Sequence, residues 1–156
     1  SSATTSAPAA PPQNELNALI SFLNSLTYAE CLRALHHTQL HSTLSFLHEP
    51  GYRRHSLALD LAEVFKPLLA DRLIFRLVNR NQITPKDFEA ESGGILLKPH
   101  ALRTVVQEWD ARLATTIQHR TLGRQTSYRG LIRLEAHKLS KHILGVEPYK
   151  PFLIWW

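Results

Sequence analysis

Three side chains that suit divalent-metal chemistry lie close together between residues 46 and 63. His48 precedes a basic segment, and Asp60 and Glu63 follow that segment three residues apart. On a helix this spacing places both carboxylates on one side. Carboxylates with a single imidazole suit Mg²⁺ or Mn²⁺, and the imidazole shifts the preference towards Mn²⁺. The pattern indicates a hard-metal site. The alternative is a pair of solvated helix charges beside a hydrogen-bonded structural histidine.

Basic residues stand directly before the two carboxylates. Arg53, Arg54 and His55 precede a helix that is predicted to begin near Ser56. Guanidinium groups and a helix N-terminus both favour phosphate oxygens, so a nucleic-acid backbone could pass over the metal here. The alternative is a solvated turn.

A second group of basic residues follows the predicted helical period. Arginines recur every four residues along one helix, and the last helix adds further charge: Arg72, Arg76, Arg80, Lys138, Lys141 and His142. With a metal site nearby this pattern predicts a DNA track. The alternative is an ordinary soluble face.

Glu30 is out of place in the first predicted helix. It continues the apolar stripe formed by Leu16, Leu19, Leu23 and Leu26, where an ionised carboxylate without a partner is costly. A metal ion would compensate the charge. An arginine partner, or capping of a neighbouring helix, would do the same.

The hydrophobic periodicity predicts an all-α domain of four or five helices, with no repeat. Residues 1–13 are predicted to be a disordered linker or fusion junction, because Ser1–Pro12 holds no charged or large apolar side chain, and 14–156 is predicted to be the catalytic domain. The connection 82–98 is predicted to be irregular, with a short strand or hairpin near 93–98. The predicted helices run from Asn14 to His36 or His37, from Leu57 with Ser56 as its cap to a kink or break at Pro67, from Leu68 to Asn79, from Pro99 to His119, and from Tyr128 to Leu144.

Composition limits the classes of function. Lys and Arg outnumber Asp and Glu by 18 to 13, which favours a polyanionic partner. The single Cys31 excludes an internal disulfide and suits packing in a reducing cytoplasm. A nucleophilic Ser or Cys enzyme is disfavoured because no Gly-x-Ser-x-Gly turn is present. No apolar run reaches the roughly 18 residues of a membrane span. The chain has no Met, so we expect upstream sequence to be missing.

Several short segments, taken in order, resemble one known family. They are Asn17-Ala18-Leu19, Tyr28-Ala29-Glu30-Cys31-Leu32-Arg33-Ala34, Phe46-Leu47-His48-Glu49-Pro50, Ser56-Leu57-Ala58-Leu59-Asp60-Leu61-Ala62-Glu63, Phe65-Lys66-Pro67, Asp71-Arg72, Gly93-Gly94, Ser127-Tyr128-Arg129 and Tyr149-Lys150-Pro151-Phe152. The family is the CRISPR-associated spacer integrase, and the match is to its helical C-terminal catalytic domain. Two segments depart from the family pattern, at Phe22-Leu23-Asn24 and at Ser45.

The resemblance implies a ligand set and a reaction. Glu30, His48 and Glu63 would hold Mg²⁺ or Mn²⁺, with Asp60 as a supporting acid. The reaction would be a transesterification in which the 3′-hydroxyl of a short DNA attacks the edge of a CRISPR repeat. The implied partners are double-stranded DNA, a second copy of the chain, the second CRISPR-associated adaptation protein and a fused upstream enzyme domain, in a prokaryotic cytoplasm. The alternatives are a metal-dependent DNase that only hydrolyses, and a silent DNA-binding or assembly module.

Overall fold

The computed structural model describes residues 13–41, 51–143, 145 and 148–150, with side chains from 13 to 38 and from 55 onward in those ranges. The elements in this part of the chain are α1 (Gln13–His41), α2 (Gly51–Lys66), α3 (Arg72–Asn79), β1 (Phe88–Glu91), β2 (Gly94–Leu97), α4 (Pro99–Ala114), β3 (Thr116–His119), β4 (Arg124–Ser127) and α5 (Tyr128–Ile143). The predicted all-α domain with a hairpin near residues 93–98 is confirmed. The second hairpin is not among the predicted elements. The predicted linker, up to residue 12, and Leu144 lie outside the described residues.

The core forms where α1 packs against α2 and α5. Leu19 and Leu23 of α1, Phe65 of α2 and Leu131 of α5 are fully buried or nearly so. The π-helical turn between α2 and α3, and α4, add further buried leucines and Trp109 to the same cluster. Burying these apolar side chains is the main stabilising term for the fold.

Helix α1 extends beyond its predicted end at His36 or His37. Thr38 is buried, and its Oγ1 donates a hydrogen bond to the carbonyl oxygen of Ala34 at 2.8 Å. Because the hydroxyl is satisfied within the helix, Thr38 can remain helical against the core. The predicted loop beginning at Thr38 is therefore wrong as far as His41, where α1 ends.

Helix α2 begins at Gly51, which is one and a half turns earlier than predicted. The phenol of Tyr28 on α1 forms a 2.5 Å hydrogen bond with His55 Nδ1, and the two rings stack at an interplanar angle of 13°. This contact between α1 and α2 stabilises the first turns, where local sequence gives only a weak signal. Ser56 is thus not a cap, and Arg53 and Arg54 lie in the helix and not in a basic loop.

The helix does not break at Pro67 but continues there as a π-helical turn. A π-helical turn at Pro67–Asp71 joins α2 to α3, and it buries Leu68, Leu69 and Ala70. The carbonyl oxygen of Leu68 accepts hydrogen bonds from Nε and Nη2 of Arg112 on α4, at 3.2 and 2.7 Å. Proline has no backbone N–H to donate to a helical hydrogen bond, and the π-helical turn accommodates it at its first position.

Helix α4 ends at Ala114, so the predicted helix to His119 is wrong. Thr115 has an extended backbone, and its carbonyl oxygen accepts a hydrogen bond from the N–H of Tyr128 at 3.0 Å. Strands β3 and β4 then pair antiparallel from Thr116 opposite Ser127 to His119 opposite Arg124. β-Branched residues at Thr115, Thr116 and Ile117 favour strand over helix.

Asp87 anchors the first hairpin at its base. Its Oδ2 accepts a hydrogen bond from the N–H of Thr84 at 2.8 Å, and its Oδ1 lies 2.9 Å from His100 Nε2 on α4. Burial alone would raise the pKa of the carboxyl. The hydrogen bonds from Thr84 and His100, together with the charge of His100, outweigh burial and lower that pKa.

Replacing Asp87 by alanine is expected to cost about 0.5–2 kcal/mol of unfolding free energy at neutral pH, as for a lost helix cap. A carboxyl whose folded pKa is lowered stabilises above its unfolded pKa, and the contribution disappears as pH falls through the folded value. Urea titrations at pH 7 and pH 2 check this, since the gap between wild type and variant should close at pH 2. Asp110→Ala, an exposed position on α4, is the control and should show no gap at either pH.

Buried Glu135 holds the chain that follows α5. Its Oε1 accepts a hydrogen bond from Lys138 Nζ at 2.8 Å, and its Oε2 accepts one from the hydroxyl of Tyr149 at 2.6 Å. Burial, and then the carboxylate of Glu135, raise the pKa of Tyr149. The phenol therefore stays protonated and acts as a donor. None of the helices in the described ranges has the length and apolar run that a membrane span requires.

Candidate functional site

Glu30 lies between two arginines in the structure. Its Oε2 lies 3.3 Å from Arg33 Nη1, one turn along α1, and its Oε1 lies 3.3 Å from Arg129 Nε on α5. The Glu30 side chain is 8% exposed, whereas Arg33 is 69% exposed and Arg129 is 36% exposed. This is the arginine-paired arrangement that was the alternative to a metal ligand. The assignment of Glu30 as a metal ligand stays a prediction.

The charge of Glu30 affects its neighbour Cys31. Burial, and then the negative charge of Glu30, raise the pKa of the Cys31 thiol to about 12. The nucleophilic form of cysteine is the thiolate, so this thiol is inert at neutral pH. Cys31 is buried in the core, as its predicted packing role requires.

Asp60 and Glu63 lie on the exposed side of α2, one turn apart. Neither carboxylate makes a hydrogen bond or ion pair with another residue that the structure describes. Carboxylate oxygens that are exposed and uncommitted in this way are the donors that Mg²⁺ and Mn²⁺ prefer. The donor chemistry of this pair therefore fits the predicted metal.

The other part of the predicted metal site lies outside the described side chains. His48 lies outside the described residues, and so do the side chains of Arg53 and Arg54, although their backbone belongs to the first turn of α2. Among the residues that are described, no three His, Cys, Asp or Glu side chains group closely enough to hold a metal ion.

The predicted arginine stripe follows α3. Arg72, Arg76 and Arg80 are exposed, and a further guanidinium, that of Arg112 on α4, lies near the first two. Burial is the largest cause that lowers the pKa of Arg112, and the positive charges of Arg72 and Arg76 lower it further, while Tyr128 opposes them. Arg112 also stacks over the Tyr128 ring, 5.1 Å from its centroid. These contacts concentrate positive charge between α3 and α4.

Lys138 is less available to a nucleic acid than its sequence position suggests. Its Nζ lies 2.8 Å from the buried carboxylate of Glu135, and its side chain is 38% exposed. The Glu135 carboxylate already balances the charge of this lysine. Its predicted contact with DNA stays a prediction.

A basic stripe on α5 is not among the predicted site residues. Arg129, Arg133 and His137 recur every four residues, so they lie along one side of the helix. The same four-residue count that identified Arg72, Arg76 and Arg80 could have found this stripe. Arg129 contacts Glu30, which places the stripe beside one of the predicted site residues.

Comparison with known proteins gives one family. The family model described as CRISPR associated protein Cas1 matches residues 8–111. CRISPR-associated protein Cas1 1 of Methanobrevibacter ruminantium is 54% identical to this chain over 146 residues, which are 94% of this chain and 45% of that protein. CRISPR-associated endonuclease Cas1 of Haloferax volcanii is 51% identical over 94% of this chain and 44% of its own length. The chain thus spans about half the length of these relatives.

Two solved structures share the fold. A CAS1 protein from Thermotoga maritima matches with a TM-score of 0.70 and 40% identity, over 88% of this chain and 43% of that one. A casposase bound to an integration product matches with a TM-score of 0.69 and 25% identity, over 92% of this chain and 41% of the casposase. Both similarities extend over most of the described elements.

Proposed function

Because the chain belongs to the family described as CRISPR associated protein Cas1, we propose that it is the helical catalytic region of a metal-dependent DNA endonuclease and integrase of CRISPR adaptation. One observation carries the proposal: over 94% of its length the chain is 51% identical to a protein named as a CRISPR-associated endonuclease. The casposase similarity adds the integration reaction, since that protein was captured with an integration product.

The proposed metal is Mg²⁺ or Mn²⁺, which Glu30, His48 and Glu63 would hold, with Asp60 on α2 as a supporting acid. Two exposed carboxylates one turn apart support this set. Glu30, the third ligand that the resemblance implies, has one arginine contact on each oxygen, to Arg33 and Arg129, and each oxygen keeps a second lone pair for a cation. When bound, such an ion favours deprotonation of an attacking hydroxyl and stabilises negative charge on the phosphate oxygens.

The proposed chemical step is transesterification of DNA. The 3′-hydroxyl oxygen of a short DNA bonds to a phosphorus atom of the target strand, the bond from that phosphorus to the leaving 3′-oxygen breaks, and one proton passes from attacker to leaving group through solvent. The number of phosphodiester bonds is unchanged, so no energy-rich cofactor is required. With water as the attacker the same step is hydrolysis, which gives the nuclease product.

The chain's own residues would bind and orient the DNA. Exposed Arg72 and Arg76 on α3 and Arg80 directly after it offer donors to phosphate oxygens. Arg53 and Arg54 lie in the first turn of α2, the helix that holds the two carboxylates. Phosphate contacts of this kind fix the position of the duplex and carry no base sequence. We further propose that the working assembly contains a second copy of the chain, the second CRISPR-associated adaptation protein and a fused upstream enzyme domain.

The test uses end-labelled DNA with the purified chain in Mn²⁺, in Mg²⁺ and in EDTA. Joined products in either metal, absent in EDTA, support an integrase. Products that are only shortened support the second candidate, a hydrolytic DNase. If the chain binds DNA but neither cuts nor joins it in either metal, the enzymatic proposal is wrong for this chain. It would then be a binding or assembly module, as its span of about half of its relatives would allow.

A further inference from the structure

An open groove of about 300 Å³ lies where the end of α1, strand β4 and α5 meet. We call it the basic groove. The described residues that line it include His37, Arg124, Thr126, Gly130, Arg133 and His137. Neither Glu30 nor Glu63, the described residues proposed to hold the metal, lines it.

The groove is suited to an anion. Its described lining contains two guanidinium groups, two imidazoles and two threonine hydroxyls, and it contains no carboxylate. Arg124 and Arg133 are exposed, and neither pairs with a carboxylate among the residues that the structure describes. The nearby acid Glu135 is buried and already bonded to Lys138 and Tyr149. Guanidinium forks bind phosphate oxygens with charge-assisted hydrogen bonds.

The floor of the groove depends on a glycine. A Cβ at Gly130 would lie 2.6 Å from Thr126 Oγ1 and 3.3 Å from Ser127 Oγ. Glycine therefore leaves room for the Thr126 hydroxyl beside the first turn of α5. The N–H of Gly130 donates to Ser127 Oγ at 3.0 Å, which fixes the first turn of α5 beneath the groove.

The basic groove lies further along α1 and α5 from the contact between Glu30 and Arg129. Arg133 follows Arg129 by one turn on α5, about 6 Å along the axis, and His37 follows Glu30 by two turns on α1, about 10 Å. The groove therefore lies about one to two helical turns from the contact between Glu30 and Arg129.

We propose that the basic groove binds a backbone phosphate of the DNA. The proposal rests on the proposed function for the identity of the nucleic acid. Arg124 and Arg133 would bind the DNA at a second point, where α1, β4 and α5 meet. This point lies outside both the α3 arginine stripe and the carboxylates of α2.

The test measures binding of a fluorescein-labelled DNA duplex in EDTA across a range of salt concentrations, so that no metal chemistry contributes. Losing one phosphate contact lowers the slope of log affinity against log salt by about 1. Arg124→Gln and Arg133→Gln should each show that loss, with roughly tenfold weaker binding at low salt. Arg133→Lys should keep the slope, because the charge remains. Arg103→Gln, an exposed arginine on α4 outside the groove, is the matched control and should match wild type.

Each outcome decides one of the two proposals. Slopes of the groove variants equal to that of Arg103→Gln would overturn the groove even if the chain cuts or joins DNA in metal. Reduced slopes in a chain that never processes DNA would support the groove and overturn the enzymatic proposal. Failure of the wild-type chain to bind the duplex at low salt would overturn the groove, and the products formed in Mn²⁺ or Mg²⁺ would still decide the enzymatic proposal. Thermal unfolding of all four variants confirms that a change in slope does not arise from loss of the fold.

Discussion

Replacing Glu63 by glutamine is expected to reduce DNA cleavage and joining in Mn²⁺ by at least about 100-fold, because even residues that only support a metal ligand cost 10–100-fold when changed. The amide keeps the shape and removes the charge that holds a divalent ion. Glu63 is exposed on α2 and makes no contact with a described residue that the change would break. The loss of activity should therefore come without loss of stability.

Two further variants sharpen this expectation. Asp60→Asn should also reduce activity, since Asp60 stands one turn away on the same side of α2. Glu89→Gln changes an exposed carboxylate on β1 and should leave activity unchanged. Initial rates at several Mn²⁺ concentrations separate a binding defect, which added metal rescues, from a defect in the step itself. Near-normal joining by Glu63→Gln at limiting Mn²⁺ would remove Glu63 from the proposed ligand set.

The spacing of residues along the sequence correctly predicted features that depend on a single helix. The stripe that runs from Leu16 to Glu30 correctly predicted the buried side of α1, because side chains three and four residues apart lie on one helix face. The i,i+3 spacing of Asp60 and Glu63 likewise placed both on one side of α2. Both inferences need only the geometry of a single helix, and the structure agrees with them.

Features that depend on contacts between elements were not accessible in the same way. The early start of α2 depends on the Tyr28 and His55 contact, which joins residues 27 positions apart. The widened turn at Pro67 is stabilised by Arg112, which lies 44 positions away from Leu68. Single-helix reasoning has no means of finding such pairs. The second hairpin did have a sequence signal, the β-branched residues from Thr115 to Ile117. The prediction instead extended the helix through them to His119.

The same distinction applies to Glu30. Periodicity showed that its charge needs compensation, and the structure supplies Arg33 from the same helix and Arg129 from 99 residues away. A carboxylate between two guanidiniums is already satisfied, so the anomaly in the sequence no longer requires a metal. The structural and the catalytic explanations for Glu30 then make different predictions about stability.

Glu30→Gln is expected to lower the free energy of unfolding by about 1–3 kcal/mol, because charge-assisted hydrogen bonds to a mostly buried carboxylate are lost. Arg129→Met should give a loss of similar size, since it leaves the buried charge with only the exposed Arg33. Arg33→Met, which removes the 69% exposed partner, should cost less than about 1 kcal/mol. Urea unfolding at pH 7 measures all three variants.

The double variant Glu30→Gln with Arg129→Met separates the two explanations. If the residues act as a pair, the double variant should lose less stability than the sum of the single losses, by about 1 kcal/mol or more. Calorimetric Mn²⁺ binding by Glu30→Gln should then equal that of wild type, while Glu63→Gln shows weaker binding. The opposite result is additive losses of stability together with weaker Mn²⁺ binding by Glu30→Gln. That result would make Glu30 a metal ligand whose contact with Arg129 contributes little to the stability of the fold.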